Sequence, residues 1–143
     1  MSTGSAGWWE IITEARRWLG TPFHHQGRCR GVGVDCAGVV IGVARTLGLS
    51  GNDVAGYGRE PYRGLLMREL DSQMQRIDAP EPGAVLLLRF AVEPQHLAIC
   101  TDQETLIHAY QTAGACVEHR YSDLWRARTL QAYVYHGARR WPS

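Results

Sequence analysis

Cys36 follows Asp35 directly, and the run Asp35-Cys36-Ala37-Gly38-Val39-Val40 sets a thiol in the first turn of an apolar helix. A helix N-terminus carries roughly half a positive charge and several unpaired backbone N–H groups. That setting favours a thiolate, so the Cys36 pKa is expected to fall from about 8.5 by one to several units. The thiolate is the nucleophile of cysteine chemistry, and it needs a base, usually histidine, and a third group to hold that base. Of the six histidines, His96 opens one strand-like run and His108 lies in the next, across a short turn near Asp102. In a hairpin, residues near the outer end of one strand meet those near the outer end of its partner. The two rings are therefore expected to meet. Cys36 would attack, His96 would exchange the proton, and His108 would fix the His96 ring.

The elements that must position these groups are legible in outline. Ser5 to Leu19 reads as an amphipathic helix, with Trp8, Ile11, Ile12, Ala15, Trp18 and Leu19 at helical spacing, ended by Gly20 and Pro22. Thr21 to Val34 is a glycine-rich loop. Asp35 caps the next helix, which runs to about Leu47 and stops at Gly48; its apolar residues surround most of its faces and predict burial. Ser50 to Pro61 is expected to be a loop bordering the site, because it follows the Cys36 helix directly, and Tyr62 to Arg76 to be a third helix. Beyond Pro80-Glu81-Pro82-Gly83 come strand-like runs at Val85–Leu88, His96–Cys100, Thr105–Tyr110, Ala115–Arg120 and Gln131–His136, with a helical turn at Asp123–Arg128. Helices first and strands later predict an α+β fold: N-terminal helices packed on an antiparallel sheet of about five strands.

Composition narrows the function. The 143 residues suit a single domain over 1–143, and 45% hydrophobic residues suffice for a core. A net charge of +1 with scattered arginines gives no reason to expect nucleic acid or membrane as a partner. No apolar run approaches the roughly 18 residues of a membrane span. Met1-Ser2-Thr3-Gly4-Ser5 has no basic region followed by an apolar stretch, so the expectation is synthesis in the cytosol without a signal peptide. The prior then favours reduced thiols, with Cys100 a core residue and Cys29 and Cys116 open. No Cys-x-x-Cys pair is present, and a metal set of His24, His25 and Cys29 is the weaker reading of that loop. Trp8, Trp9 and Trp18 read as packing residues, Trp125 and Trp141 are ambiguous, and His119 and His136 have no partner visible in the sequence.

Gly20-Thr21-Pro22-Phe23, the glycine-containing loop and Asp35-Cys36-Ala37-Gly38-Val39-Val40 together resemble the signature of the NlpC-type cell-wall cysteine peptidases. Gln95-His96-Leu97-Ala98-Ile99 and Leu106-Ile107-His108-Ala109 are similar to that family's two histidine strands. The fuller runs Gly20-Thr21-Pro22-Phe23-His24-His25-Gln26 and Gly31-Val32-Gly33-Val34-Asp35-Cys36 resemble its phage and prophage branch, whose members accompany tail-tip proteins. The resemblance implies a papain-like α+β fold and hydrolysis of an amide bond in a peptidoglycan stem peptide, typically between D-glutamate and a diamino acid. It implies Cys36 as nucleophile, His96 as general base and His108 as orienting member, with Phe23, His24, His25, Asp35 and Ala37 near the site. It implies no metal or organic cofactor, a peptidoglycan peptide and tail-tip or hub proteins as partners, and a place in a virion tail or phage-like particle acting in the cell wall. The chain departs from the family at Phe23, often tyrosine, at Ala37, often serine, and at Ala84, often aspartate. The alternative reading is therefore a catalytically weak structural component of a tail tip; an acyltransferase using the same triad is a third.

Overall fold

The computed structural model describes residues 6–49, 65–90 and 94–142. In chain order the elements are α1 (Trp8–Arg16), β1 (Arg28–Cys29), β2 (Gly33–Val34), α2 (Cys36–Thr46), α3 (Leu65–Gln73), β3 (Met74–Ile77), β4 (Val85–Arg89), β5 (Pro94–Cys100), β6 (Thr105–Tyr110), β7 (Ala115–Arg120), α4 (Asp123–Arg128) and β8 (Thr129–Tyr135). The larger sheet has six strands in the order β3-β8-β4-β5-β6-β7, antiparallel throughout. The expected loop from Ser50 to Pro61 lies outside the described residues.

Alternation along the strands decides which helix packs where. Val85, Leu87, Leu97, Ile99, Ile107, Ala109 and Tyr133 join one buried cluster with Ile11 and Ala15 of α1, Val39 and Val43 of α2 and Leu70 of α3. Leu86, Leu88, Ala98, Cys100, Leu106, Ala132 and Val134 point the other way and join Trp125 of α4 in a second cluster. Helices therefore lie on an antiparallel sheet, α1 to α3 on one face and α4 on the other. Polar groups pin the layers: Arg16 of α1 donates twice to Glu118 of β7, at 3.1 and 3.0 Å, and the Tyr135 hydroxyl donates to the Val40 carbonyl of α2 at 2.7 Å.

The sheet has one strand more than the sequence reading gave. Met74 and Ile77 stand three apart and so fit a helical face, and the third helix was expected to continue to Arg76. Pairing overrides that spacing. Met74 lies opposite Tyr135 and Ile77 opposite Ala132, which sends Met74 into the first cluster and Ile77 into the second. The loop from Thr21 to Val34 also carries a small ladder, with Arg28 opposite Val34 and Cys29 opposite Gly33. Trp18 and Cys100 are buried, and so is Cys116, whose state the sequence left open; Cys29 is exposed, and all four thiols are free.

Candidate active site

The start of α2 is fixed by one carboxylate and two glycines. Asp35 Oδ1 accepts from the Gly38 N–H at 2.9 Å, which is the N-cap bond, and from Arg28 Nη1 at 2.9 Å; Oδ2 accepts from the Gln26 N–H at 2.8 Å. The carboxylate thus faces the preceding loop, as its expected role as a cap requires. A Cβ at Gly38 would lie 2.4 Å from the Gly27 carbonyl oxygen and 2.6 Å from Val34 Cγ2, so only glycine lets the loop close on the helix here. Ala37 is buried in the main cluster, where a serine hydroxyl would need a partner, and it serves the site through its backbone.

Cys36 is half-buried, and the backbone amides of Leu97 and Ala37 donate to its sulfur. The ladder between β5 and β6 runs through Ile99 opposite Ile107 and Cys100 opposite Leu106; at Leu97 a backbone bond goes to the cysteine instead. Cys36 is therefore tied to β5 at Leu97, the residue after His96. Its thiol is not acidic, contrary to the expectation from the helix start. Burial, and then the negative charge of Asp35, push the Cys36 pKa up to about 12, against the opposing pull of the two amides and Arg28. That direction favours the protonated thiol near neutral pH.

His96 and His108 do meet. Both project from the α4 face of the sheet, both are buried, and His96 Nε2 lies 2.5 Å from His108 Nδ1. They meet on a diagonal, since the register of Ile99 opposite Ile107, extended along the strands, puts Tyr110 rather than His108 opposite His96. Burial, and then the charge of His119, lower the His96 pKa to about 3; burial, and then the charges of His96 and His119, lower that of His108 to about 2. Both rings are thus neutral at rest. Aromatic groups frame them: Tyr110 stacks on His108 with centroids 4.5 Å apart, Trp125 meets His108 edge-on at 5.0 Å, and Phe90 lies 4.7 Å from His96.

The other expected site residues stand in the loop before α2. Phe23 is partly buried against the main cluster, and its N–H donates to the Gly114 carbonyl at 2.8 Å. His24 is exposed, with Nδ1 3.1 Å from the His25 carbonyl oxygen, and His25 is half-buried. The histidine pair itself is built from β5 and β6 alone. Among the described residues no group of three His, Cys, Asp or Glu side chains is placed to hold a metal ion, and no helix is long and apolar enough to cross a membrane.

Sequence reasoning missed Phe90 and Tyr110, left Trp125 ambiguous, and left His119 without a partner. His119 has one: its Nε2 lies 2.7 Å from His108 Nε2. The signal was available in the register of the β6–β7 hairpin, where His119 falls opposite Leu106 and so on the same face as His108.

Residues 20–134 match the sequence model of the NlpC/P60 family. No curated protein matches the chain. Among solved structures, the fold is similar to that of the NlpC/p60 domain of the peptidoglycan hydrolase SagA, with 23% identity, a TM-score of 0.64 and coverage of 90% of this chain and 98% of that one. It is similar to an NlpC/P60 family protein from Bacillus cereus at 15% identity and a TM-score of 0.69, covering 92% of this chain and 41% of that one. It is also similar to a lipoprotein-like NLP/P60 family protein from Staphylococcus aureus at 18% identity and a TM-score of 0.64, covering 94% and 44%. The chain thus spans less than half the length of the last two.

Proposed function

The chain belongs to the NlpC/P60 family, and from that premise we propose that residues 1–143 act as one cysteine peptidase domain that hydrolyses an amide bond in peptidoglycan stem peptides. The single observation that carries this reading is the buried His96–His108 pair, with His96 next in sequence to Leu97, whose backbone amide bonds the cysteine at the start of α2. A neutral thiol attacks poorly, and a neutral imidazole on the neighbouring strand is a competent proton acceptor. His96 takes the thiol proton as the sulfur attacks the carbonyl carbon, and the carbonyl oxygen becomes an oxyanion. A backbone N–H left open at the start of α2 would stabilise that charge. The intermediate collapses to a thioester as His96 returns the proton to the departing amine. Water, deprotonated by His96, then releases the acid and restores the thiol.

The bond is of the D-glutamyl–diamino acid type, and the enzyme works from a phage or prophage tail, with tail-tip or hub proteins as partners. The motif runs around Thr21-Pro22-Phe23-His24-His25-Gln26 support that placement. The structurally similar SagA domain belongs to a peptidoglycan hydrolase, which supports the substrate class. The test is mass spectrometry of purified peptidoglycan fragments incubated with the wild-type protein and with Cys36→Ala. A new product pair, heavier in sum by one water and missing with the variant, identifies the hydrolase and its bond. The same products from folded Cys36→Ala, or no products from any stem-peptide fragment, overturn the reading.

A further inference from the structure

The histidine pair is part of a longer chain of rings. His96 Nε2 meets His108 Nδ1 at 2.5 Å, His108 Nε2 meets His119 Nε2 at 2.7 Å, and His119 Nδ1 meets the Arg120 carbonyl oxygen at 2.9 Å. The last bond sets the direction of all the others. A carbonyl oxygen can only accept, so His119 Nδ1 carries a proton and donates. A neutral His119 then has a bare Nε2, which must accept from His108 Nε2–H. His108 Nδ1 is then bare and accepts from His96 Nε2–H. The one ring nitrogen left without a proton on the base is His96 Nδ1.

We propose that His119 is a positioning residue of the active site, which fixes through His108 the Nε2–H form of His96 and so reserves Nδ1 for the Cys36 proton. The proposal rests on the peptidase reading for its catalytic meaning, but the ring chain stands on geometry alone. In the opposite tautomer His96 already carries a proton at Nδ1 and is no base there. When Nδ1 takes the thiol proton, the imidazolium keeps its Nε2–H bond to the bare nitrogen of His108, so the new charge meets an acceptor already in line. The rings are packed on the α4 face, and β7 beside them is pinned on the other. Trp125 packs against His108 and His119 with centroids 5.0 and 5.1 Å away, and Glu118, next to His119, is bound on the far face by Arg16. His119 is only half-buried, so its replacement leaves the core intact.

The test compares His119→Gln, whose side-chain oxygen reaches the place of Nε2 and can accept, with His119→Leu, which has no acceptor. Two-bond proton–nitrogen spectra of histidine-labelled protein report which nitrogen of each ring is protonated. Wild type and His119→Gln are expected to show Nε2–H at both His96 and His108, and His119→Leu a mixture. On peptidoglycan fragments, kcat is expected to fall about tenfold in His119→Leu with KM unchanged, and to stay near wild type in His119→Gln. Nδ1–H at His96 or His108 in the wild-type protein overturns the proposal. So does a His119→Leu variant with wild-type tautomers and rate. A wild-type protein with the expected tautomers but no cleavage supports the ring chain and counts against the peptidase reading alone.

Discussion

The proposed nucleophile end of this site and its proposed base end are built from different materials. Cys36 rides on α2, and its place is set by backbone: the Asp35 cap on Gly38, the bond of that carboxylate to Gln26, and the close approach of Gly27 and Gly38. His96 rides on a strand, and its ring is set by other side chains, His108 and then His119, from the next two strands. The first arrangement places an atom to within the tolerance of a helix turn and leaves its protonation to be decided by surroundings. Those surroundings keep the thiol protonated. The second fixes both where the ring is and, through donor and acceptor order, which nitrogen is free. Under the proposed mechanism, the base end makes the thiol reactive and the helix start supplies position.

That comparison can be broken most sharply at the base. His96→Gln removes the proton acceptor and leaves the sheet paired, so kcat/KM on stem-peptide fragments is expected to fall by about three orders of magnitude without loss of cooperative unfolding. An intermediate effect tests the nucleophile end. In an exposed helix, Gly→Ala would stabilise by ~1 kcal/mol. At Gly38 the new methyl group meets a backbone oxygen at 2.4 Å, which cannot swing aside as a side chain would. The clash wins, and Gly38→Ala is expected to lose about 1–3 kcal/mol in urea unfolding, with lower activity per folded molecule as the sulfur shifts. Asp35→Ala loses the cap and is expected to cost about 1 kcal/mol, while Asp35→Asn keeps the cap and removes the charge that opposes the thiolate. An Asn variant as unstable as the Ala variant would mean that the ion pair with Arg28, rather than the cap, fixes the helix start.

The base end also carries a pH dependence of stability. An ordinary histidine has a pKa of 6.5, and burial holds His96 near about 3 and His108 near about 2 in the folded state. Below pH 6.5 the unfolded chain binds protons that the folded chain refuses, so stability rises with pH in this window. The contribution is whole above pH 6.5 and is lost as pH falls toward about 3. Urea midpoints measured across this range should fall with acid, and less steeply in His108→Leu.

How much of this was legible follows the same division. Asp35-Cys36 and the apolar run after it announce a capped, buried helix from adjacent residues, because capping is local chemistry. The meeting of His96 and His108 could be inferred from two strands and a short turn. The diagonal by which they meet, and His119 behind them, depend on the registers of two hairpins, where a shift of one residue moves every side chain to the other face. The protonated state of Cys36 was misread because burial and Asp35 outweigh the helix start, and burial is a property of the assembled fold. Strand β3 was hidden because Met74 and Ile77 satisfy a helical spacing until β8 arrives to pair with them.

The central claim, that a neutral thiol is activated by His96, is tested most directly with an electrophilic trap. A D-glutamyl peptide ending in a chloromethyl ketone would be incubated with the protein, and the modified residue and its rate read by peptide mapping. Cys29 is the exposed thiol and Cys36 only half-exposed. The expected result is an adduct on Cys36 alone, formed far more slowly in His96→Gln. An adduct on Cys29 with Cys36 untouched, or equal rates at Cys36 with and without His96, would contradict it.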